Sequence, residues 1–360
     1  MDTFVFAGGG SGGHLFPAIA VARELRKRQP DARIVFVSGS RAVEGDILGR
    51  EAFERRQLEA TTSPELKRDP VRSAWRAWRA WRTAAAWLAE WQPRAVIGCG
   101  GYVSVPVGFA ARRAGIPLVL LEQNVVPGRA TTWLSRWADA VCVSFDETAA
   151  KLPRGAKSVV TGNPVREEIA VLAGRPHARP PHRPTLLVLG GSQGAKSINS
   201  AMLDFAAAHR SALAGWRIVH QTGHRDREMT EARYAEFGIH AETSAFLVSI
   251  ADVYAVADLV VSRAGATTLA ELACAGLPAV LIPYPGAVRD HQARNAEAFA
   301  TAGAALSAKD GSVQEMSAAL LPLLNEEQRR REMAGRMARC ARPSATQSVA
   351  DVVLAARKRS

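Results

Sequence analysis

The 360-residue sequence predicts an α/β fold: two Rossmann-like, doubly wound domains facing one cleft. Three observations predict it. A glycine-rich turn, Gly8-Gly9-Gly10-Ser11-Gly12-Gly13-His14, returns in altered form half a chain later as Gly190-Gly191-Ser192-Gln193-Gly194-Ala195. Each copy follows a short apolar strand and precedes a helix-like segment, which leaves backbone N–H groups available to negative charge. Strand-like and helix-like segments alternate through both halves, as in parallel sheets covered on both faces.

The elements follow in order. Residues 3–7, 33–38, 95–98, 117–121, 140–144 and 158–161 are apolar or β-branched and bounded by Gly, Pro or Ser, which marks strands. Helix-like stretches at 17–28, 72–91 and 103–114 separate several of them. The segment 174–184, GRPHARPPHRP, is too rich in proline for a helix or an interior strand and reads as a linker. Beyond it, 186–189, 217–221, 245–246, 259–262, 279–283 and 304–307 read as a second set of strands, and 313–359 as helices.

Hydrophobic residues make up 48% and charged residues 22%, ordinary for a globular chain of two domains. The net charge of +12 is not ordinary. It suits a polyanionic partner (nucleic acid, anionic lipid or a phosphorylated substrate), and equally a generally basic proteome. Neither a signal peptide nor the roughly 18-residue apolar run of a membrane span is found, so an intracellular protein with at most peripheral membrane contact is expected. Cys99, Cys142, Cys274 and Cys340 are scattered without a CxxC pair and are expected as reduced, mostly buried thiols, not a zinc site.

The first glycine turn fits G-x-G-x-x-G at Gly8, Gly10 and Gly13. A nicotinamide-binding domain would carry an acid at the end of the second strand, whereas here that strand runs into Ser38-Gly39-Ser40, which argues against NAD. A tight turn without a ligand is the plain alternative. His14 at the helix start adds weight to a site, because the positive helix end tends to keep an imidazole neutral and able to accept a proton. In the second half, SRAGATTLAE at 262–271 places Thr268 and Glu271 on one helix face, where a carboxylate suits the two hydroxyls of a ribose. The same spacing also suits a capping box. The loop Pro283-Tyr284-Pro285-Gly286 leads to Asp290-His291-Gln292, which suits sugar hydroxyls or a merely solvated helix start. With no metal motif, the pattern points to a sugar-nucleotide-dependent transferase.

Taken together, GGGSGGHLFPA at 8–18, GGYVSVP at 100–106, LEQN at 121–124, GNPVR at 162–166, GGSQGA at 190–195, SRAGATTLAE at 262–271 and DHQARNA at 290–296 resemble the MurG family of GlcNAc transferases in peptidoglycan synthesis. The resemblance spans nearly the whole chain in one order. It implies a GT-B glycosyltransferase architecture with domains 1–163 and 164–342, and a C-terminal helix within 343–360 packing back on the first. It implies inverting, metal-independent transfer of GlcNAc from UDP-GlcNAc to the C4 hydroxyl of MurNAc in undecaprenyl-pyrophosphoryl-MurNAc-pentapeptide (lipid I), giving lipid II, with no cofactor. Carried over by motif, Glu271 binds the uridine ribose, and Ser192 with neighbouring amides binds diphosphate. Arg166 offsets the diphosphate charge, and Phe246 and Leu247 border the uracil. Ala266, Thr267 and Thr268 lie near phosphate and sugar, and His291 and Gln292 contact the GlcNAc. In the first domain Gly12, Gly13, His14, Tyr102, Glu122 and Asn124 line the pyrophosphate and muramyl site, with His14 the leading base and Glu122 the second. Related readings are a diacylglycerol-accepting transferase, a UDP-GlcNAc epimerase and a non-catalytic basic binding module.

In the predicted helix 72–91, Trp75, Trp78, Trp81 and Leu88 form a broad apolar sector with Arg72, Arg76 and Arg79 beside it. This composition suits an anionic membrane surface, and the family resemblance implies a peripheral place on the cytoplasmic face of the bacterial inner membrane beside other cell-wall synthesis proteins. A buried Trp-rich face with a solvated basic side is the alternative. No nucleic-acid-binding signature is present.

Overall fold

The structure, a computed structural model, describes residues 1–9, 12–49, 51–60, 68–175, 183–191 and 194–357. The chain divides into two compact units, Met1–Arg166 with Ser344–Ser360, and Glu167–Pro343. Most of the expected linker, 176–182, lies outside the described residues.

The first unit holds a seven-stranded parallel sheet: β1 Thr3–Gly8, β2 Arg33–Ser38, β3 Glu54–Gln57, β4 Ala95–Gly100, β5 Leu118–Glu122, β6 Ala140–Val143 and β7 Ser158–Val160. Their order is β3-β2-β1-β4-β5-β6-β7. Strand pleating sends Phe4 and Phe6 into one core with Leu15, Val21 and Leu25 of the Gly12–Arg28 helix, and Val5 and Ala7 into the other with Ala80, Ala84 and Leu88 of the Pro70–Trp91 helix. The Ala345–Ala355 helix contributes Val349, Ala350 and Val353 to the first of these cores, and Thr346 Oγ1 donates to the Val165 carbonyl. The polar edge strand β3 was not expected from its sequence, ERRQ, because an edge strand needs little apolar content.

The second unit repeats the plan with β8 Thr185–Leu189, β9 Arg217–Gln221, β10 Ala241–Ser244, β11 Leu259–Ser262, β12 Ala279–Leu281 and β13 Ala305–Ser307. The order is β10-β9-β8-β11-β12-β13, again all parallel. In both sheets the order reverses beside the first strand, at β1/β4 and β8/β11, and both glycine turns leave the carboxyl ends there. Such switch points are where open α/β sheets bind ligands. The expected strand at 245–246 is corrected: pairing with β9 ends at Ser244, and 245–249 form a loop. No described helix is long and apolar enough to cross a membrane. Cys99, Cys142 and Cys274 are buried free thiols, and burial pushes the Cys142 thiol up to about 12.

Under the second glycine turn lies a buried polar network. Asn199 Nδ2 donates to the Thr222 carbonyl and to Asp226, so its Oδ1 faces His220 Nε2 at 3.1 Å as an acceptor. His220 therefore carries its proton on Nε2, and Nδ1 accepts from the Tyr234 hydroxyl at 3.0 Å. Burial lowers the His220 pKa from 6.5 to about 3, so the imidazole is neutral in the fold. The unfolded chain then binds the extra proton between those values, and stability is complete above pH 6.5 and falls as pH drops toward 3. From pH 7 to 4.5 this one group removes about 3 kcal/mol. Urea unfolding at both pH values is expected to show this loss in the wild type, and His220→Gln is expected to flatten the slope. An unchanged slope in the variant would assign the acid sensitivity elsewhere.

Candidate active site

In the first unit the helix begins at Gly12, five residues before the expected start at Pro17, so His14 lies in its first turn. Two glycines make room for it. A Cβ on Gly100 (φ 94°) would lie 3.1 Å from His14 Nδ1 and Cε1, and a Cβ on Gly101 (φ 79°) would lie 2.7 Å from the Gly9 carbonyl oxygen. Both backbones sit in the left-handed region that glycine tolerates. Ser104, buried, donates to the carbonyls of Ala7 and Gly100 and ties the ends of β1 and β4 together.

His14 is half-buried, and its Nδ1 lies 3.0 Å from Gln123 Oε1. No described residue bonds its Nε2. Gly12 is buried, and Gly13 and Tyr102 are exposed. Glu122, at the end of β5, is 3% exposed and has both carboxylate oxygens committed to the loop that follows. Oε1 accepts from the backbone and side chain of Asn124, and Oε2 accepts from the Gly128 amide at 2.9 Å. This carboxylate anchors the loop, with both of its oxygens already accepting hydrogen bonds. Arg166 falls within the first unit, its guanidinium 5.2 Å from the Phe16 ring centre, two residues along the helix from His14.

In the second unit Ser192 and Gln193 lie outside the described residues, but the turn around them is defined. A Cβ on Gly190 would lie 2.4 Å from the Ala195 nitrogen, and one on Gly194 (φ 74°) would lie 2.2 Å from the Thr222 carbonyl oxygen. The turn thus rests on the loop that Asn199 and His220 hold. After β11, Gly265 is the N-cap of the Ala266–Ala275 helix, so Thr268 lies inside the helix and the capping-box reading falls. Ala266 and Thr267 are buried and Thr268 is half-buried. Glu271 is 5% exposed and accepts from the Tyr254 hydroxyl at 3.1 Å. Phe246, 40% exposed, and the half-buried Leu247 lie on the loop after β10.

Successive left-handed residues Arg289 (φ 57°) and Asp290 (φ 50°) turn the chain so that His291 and Gln292 open the His291–Thr301 helix. Gln292 Oε1 accepts the Tyr284 amide, and His291 Nδ1 meets the Val288 carbonyl. The site residues described in this unit thus lie on the loops and helices that follow β10, β11 and β12. The sequence pattern missed Arg263, which links Asp310, the Ile282 carbonyl and Ser197 across three segments. It also missed Gln123 and Tyr254. A polar residue closing an apolar strand, as in LEQN, was the signal available for Gln123.

The tryptophan helix departs from the expected sector. Residues three apart step backward by about 60° around a helix, so the three rings spiral from solvent to core. Trp75 and Trp78 are 54% and 48% exposed, Trp81 is half-buried, and Leu88 belongs to the core beside Ala84 and not to the exposed sector. Arg72 and Arg79 are exposed and Arg76 is half-buried. Arg79 stacks on Trp75, and Arg82 on Trp78. Trp81 continues through Phe109 to Trp133 and Trp137, an aromatic run that the helix pattern alone did not show.

Comparison with known proteins gives the family and the fold. The glycosyltransferase family 28 N-terminal domain matches residues 4–143, and the family 28 C-terminal domain matches residues 185–351. A Desulfotalea psychrophila protein named UDP-N-acetylglucosamine--N-acetylmuramyl-(pentapeptide) pyrophosphoryl-undecaprenol N-acetylglucosamine transferase is 39% identical over 91% of this chain and 89% of its own. A Stutzerimonas stutzeri protein of the same name is 40% identical over 96% of both chains. The crystal structure of Acinetobacter baumannii MurG superposes with a TM-score of 0.78 at 32% identity, covering 98% of this chain and 99% of that one. A UDP-GlcNAc 2-epimerase from Neisseria meningitidis, bound to UDP-GlcNAc, shares the fold at a TM-score of 0.68 and 14% identity, covering 98% of this chain and 100% of its own.

The Glu122 geometry has a measurable consequence. In Glu122→Gln an amide NH2 meets one of the loop N–H groups, costing about 1–3 kcal/mol. Amide hydrogen exchange at Asn124 and Gly128 is expected to accelerate relative to the β5 core. Unchanged protection there would show that the loop stands without the carboxylate.

Proposed function

This chain belongs to the MurG family of family 28 glycosyltransferases, a UDP-GlcNAc glycosyltransferase, and on that premise we propose that it transfers GlcNAc from UDP-GlcNAc to the muramyl C4 hydroxyl of lipid I, forming lipid II. The observation that carries the residue assignment is His14 at the β1/β4 switch point, with Nδ1 engaged by Gln123 and Nε2 facing no described partner. In this reading Nε2 takes the proton of the C4 hydroxyl as its oxygen attacks the anomeric carbon. The bond from that carbon to the phosphate oxygen breaks on the opposite side, UDP departs with the electron pair, and a single displacement inverts the centre. Glu122 positions the acceptor loop instead of moving the proton. Tyr102, Asn124 and the amides of Gly12 and Gly13 receive the acceptor.

The donor half of the proposal rests on the second unit. Glu271, buried and oriented by Tyr254, accepts both ribose hydroxyls. The amides of the second glycine turn, with Ser192, and those of the helix opening at Ala266 take the diphosphate, as helix N-termini suit anions. The turn preceding that helix makes Thr267 an amide contributor, its side chain being packed inside, while Thr268 borders the sugar. Arg166 offsets the charge on the leaving UDP. Phe246 and Leu247 flank the uracil, and His291 and Gln292 contact the GlcNAc. The sequence holds no Asp-x-Asp triplet of the kind that anchors a metal-bound diphosphate, which supports a metal-independent reaction.

The lipid acceptor also calls for a membrane surface. Trp75 and Trp78 are exposed aromatics on the same helix as Arg72, Arg76, Arg79 and Arg82, and Trp133 is a further exposed aromatic, the composition of an interfacial docking face for anionic lipid. In this reading the chain works peripherally on the cytoplasmic face of the plasma membrane, within reach of other wall-synthesis proteins.

Labelled GlcNAc is expected to pass from UDP-GlcNAc into a lipid I analogue at an EDTA-insensitive rate. Glu271→Ala is expected to raise the KM for UDP-GlcNAc by tenfold or more, while His14→Ala lowers kcat by on the order of 10²–10⁴. Conversion of UDP-GlcNAc without acceptor would instead mark an epimerase. Trp75→Ala/Trp78→Ala is expected to weaken binding to anionic vesicles by about tenfold or more while sparing turnover of a soluble acceptor. Equal vesicle binding would remove the docking face from the proposal.

A further inference from the structure

We propose that Gln123 is a positioning residue for the transfer: its carboxamide holds His14 in the tautomer that leaves Nε2 able to accept a proton. The inference rests on the reading of His14 as the base. The geometry is a single contact, His14 Nδ1 to Gln123 Oε1 at 3.0 Å. A carbonyl oxygen only accepts, so Nδ1 carries the hydrogen and the lone pair is on Nε2. The ring edge that meets Gln123 lies over Gly100, where an added Cβ would come within 3.1 Å of Nδ1 and Cε1, so the glycine leaves the room that this contact uses.

The surroundings are built for this contact. Gln123 is 3% exposed, at the end of β5, between Glu122 and Asn124. Glu122 fixes the backbone on the far side of Gln123 through the Asn124 and Gly128 amides, so the loop that aims the carboxamide is held at two points. The Gln123 amide nitrogen is buried with no partner among the described residues. An orphaned donor of this kind costs stability, so packing alone does not account for a carboxamide here, and its partnered end is the one that meets His14. A neutral amide also has an advantage over a carboxylate here. A carboxylate would fix the same tautomer but would favour the imidazolium and would repel a pyrophosphate at the neighbouring glycine turn.

Three measurements on the full-length protein test this. In ¹⁵N-histidine spectra, with the His14 signal assigned by its loss in His14→Ala, the wild type is expected to show the Nδ1–H tautomer, and Gln123→Met is expected to lose that preference. Turnover with UDP-GlcNAc and a lipid I analogue is expected to fall about tenfold to a hundredfold in kcat for Gln123→Met, part of the 10²–10⁴ of a general base, with the KM for UDP-GlcNAc unchanged. Its Tm is expected to be equal or higher, since the orphaned amide is gone. Gln123→Glu is expected to move the acid limb of the kcat/KM profile to higher pH by about one unit, because a carboxylate favours the protonated ring. An Nε2–H tautomer in the wild type, or wild-type kcat in Gln123→Met, overturns the role of Gln123 while a dead His14→Ala leaves the base in place. Full turnover in His14→Ala overturns the base reading and this inference with it.

Discussion

A side chain on Gly101 would sit 2.7 Å from the carbonyl oxygen of Gly9, and one on Gly100 would sit 3.1 Å from the His14 ring. Backbone must therefore approach backbone at the carboxyl ends of β1 and β4, and the first unit's site depends on that approach. It lets the helix start at Gly12, immediately after the turn, so His14 emerges in the first helical turn over the switch point and not on a later, outward-facing turn. Ser104 closes the same seam by bonding the Ala7 carbonyl of β1 and the Gly100 carbonyl at the end of β4. The second unit meets the same constraint with other residues. There Gly194 approaches the Thr222 carbonyl, and that carbonyl is held in turn by Asn199, whose other bonds reach His220 and Asp226.

The buried carboxylates and histidines near the two turns are held by neighbours, and the neighbours shape what each group is able to do. Glu122 is engaged by loop amides on both oxygens and serves geometry. Glu271 takes one donor on Oε2 from Tyr254, which orients the carboxylate within its helix. His220, fully buried between Asn199 and Tyr234, is kept neutral and serves as a hydrogen-bonded strut. Among the described residues His14 is bonded through Nδ1 alone, at a half-buried position, which leaves its Nε2 side for the proposed substrate. Identical residue types thus divide into structural and chemical roles by solvent access and by the number of bonds already made.

The charge of +12 is also divided by structure. Many arginines pair with nearby acids at the surface, such as Arg23 with Glu51, Arg33 with Glu54 and Arg217 with Glu242, and contribute little attraction for a polyanion. On the Pro70–Trp91 helix the arginines instead lie over tryptophan rings, Arg79 on Trp75 and Arg82 on Trp78. There the positive charge stands beside exposed apolar surface, a combination that suits a lipid interface better than either feature alone.

The repeated glycine turn and the alternation of apolar segments were legible in the sequence because they are local: a turn needs its glycines and a buried parallel strand needs its apolar run. They determined the two Rossmann-like sheets and the family resemblance, and they named the candidate site residues. Strand β3 was illegible because an edge strand carries no apolar signature, and the strand expected at 245–246 was misplaced because pairing with β9, not propensity, ends at Ser244. The tryptophan sector was read as one face, whereas packing against Ala80 and Ala84 draws Leu88 inward and leaves Trp75 and Trp78 outside. Sequence by itself thus determined which residues are brought to the strand ends. Only the tertiary structure decided what each one does there, since the partners of His14, Glu122, His220 and Glu271 are distant in the chain or hidden in loop geometry, and a side chain's chemistry is settled by what it touches.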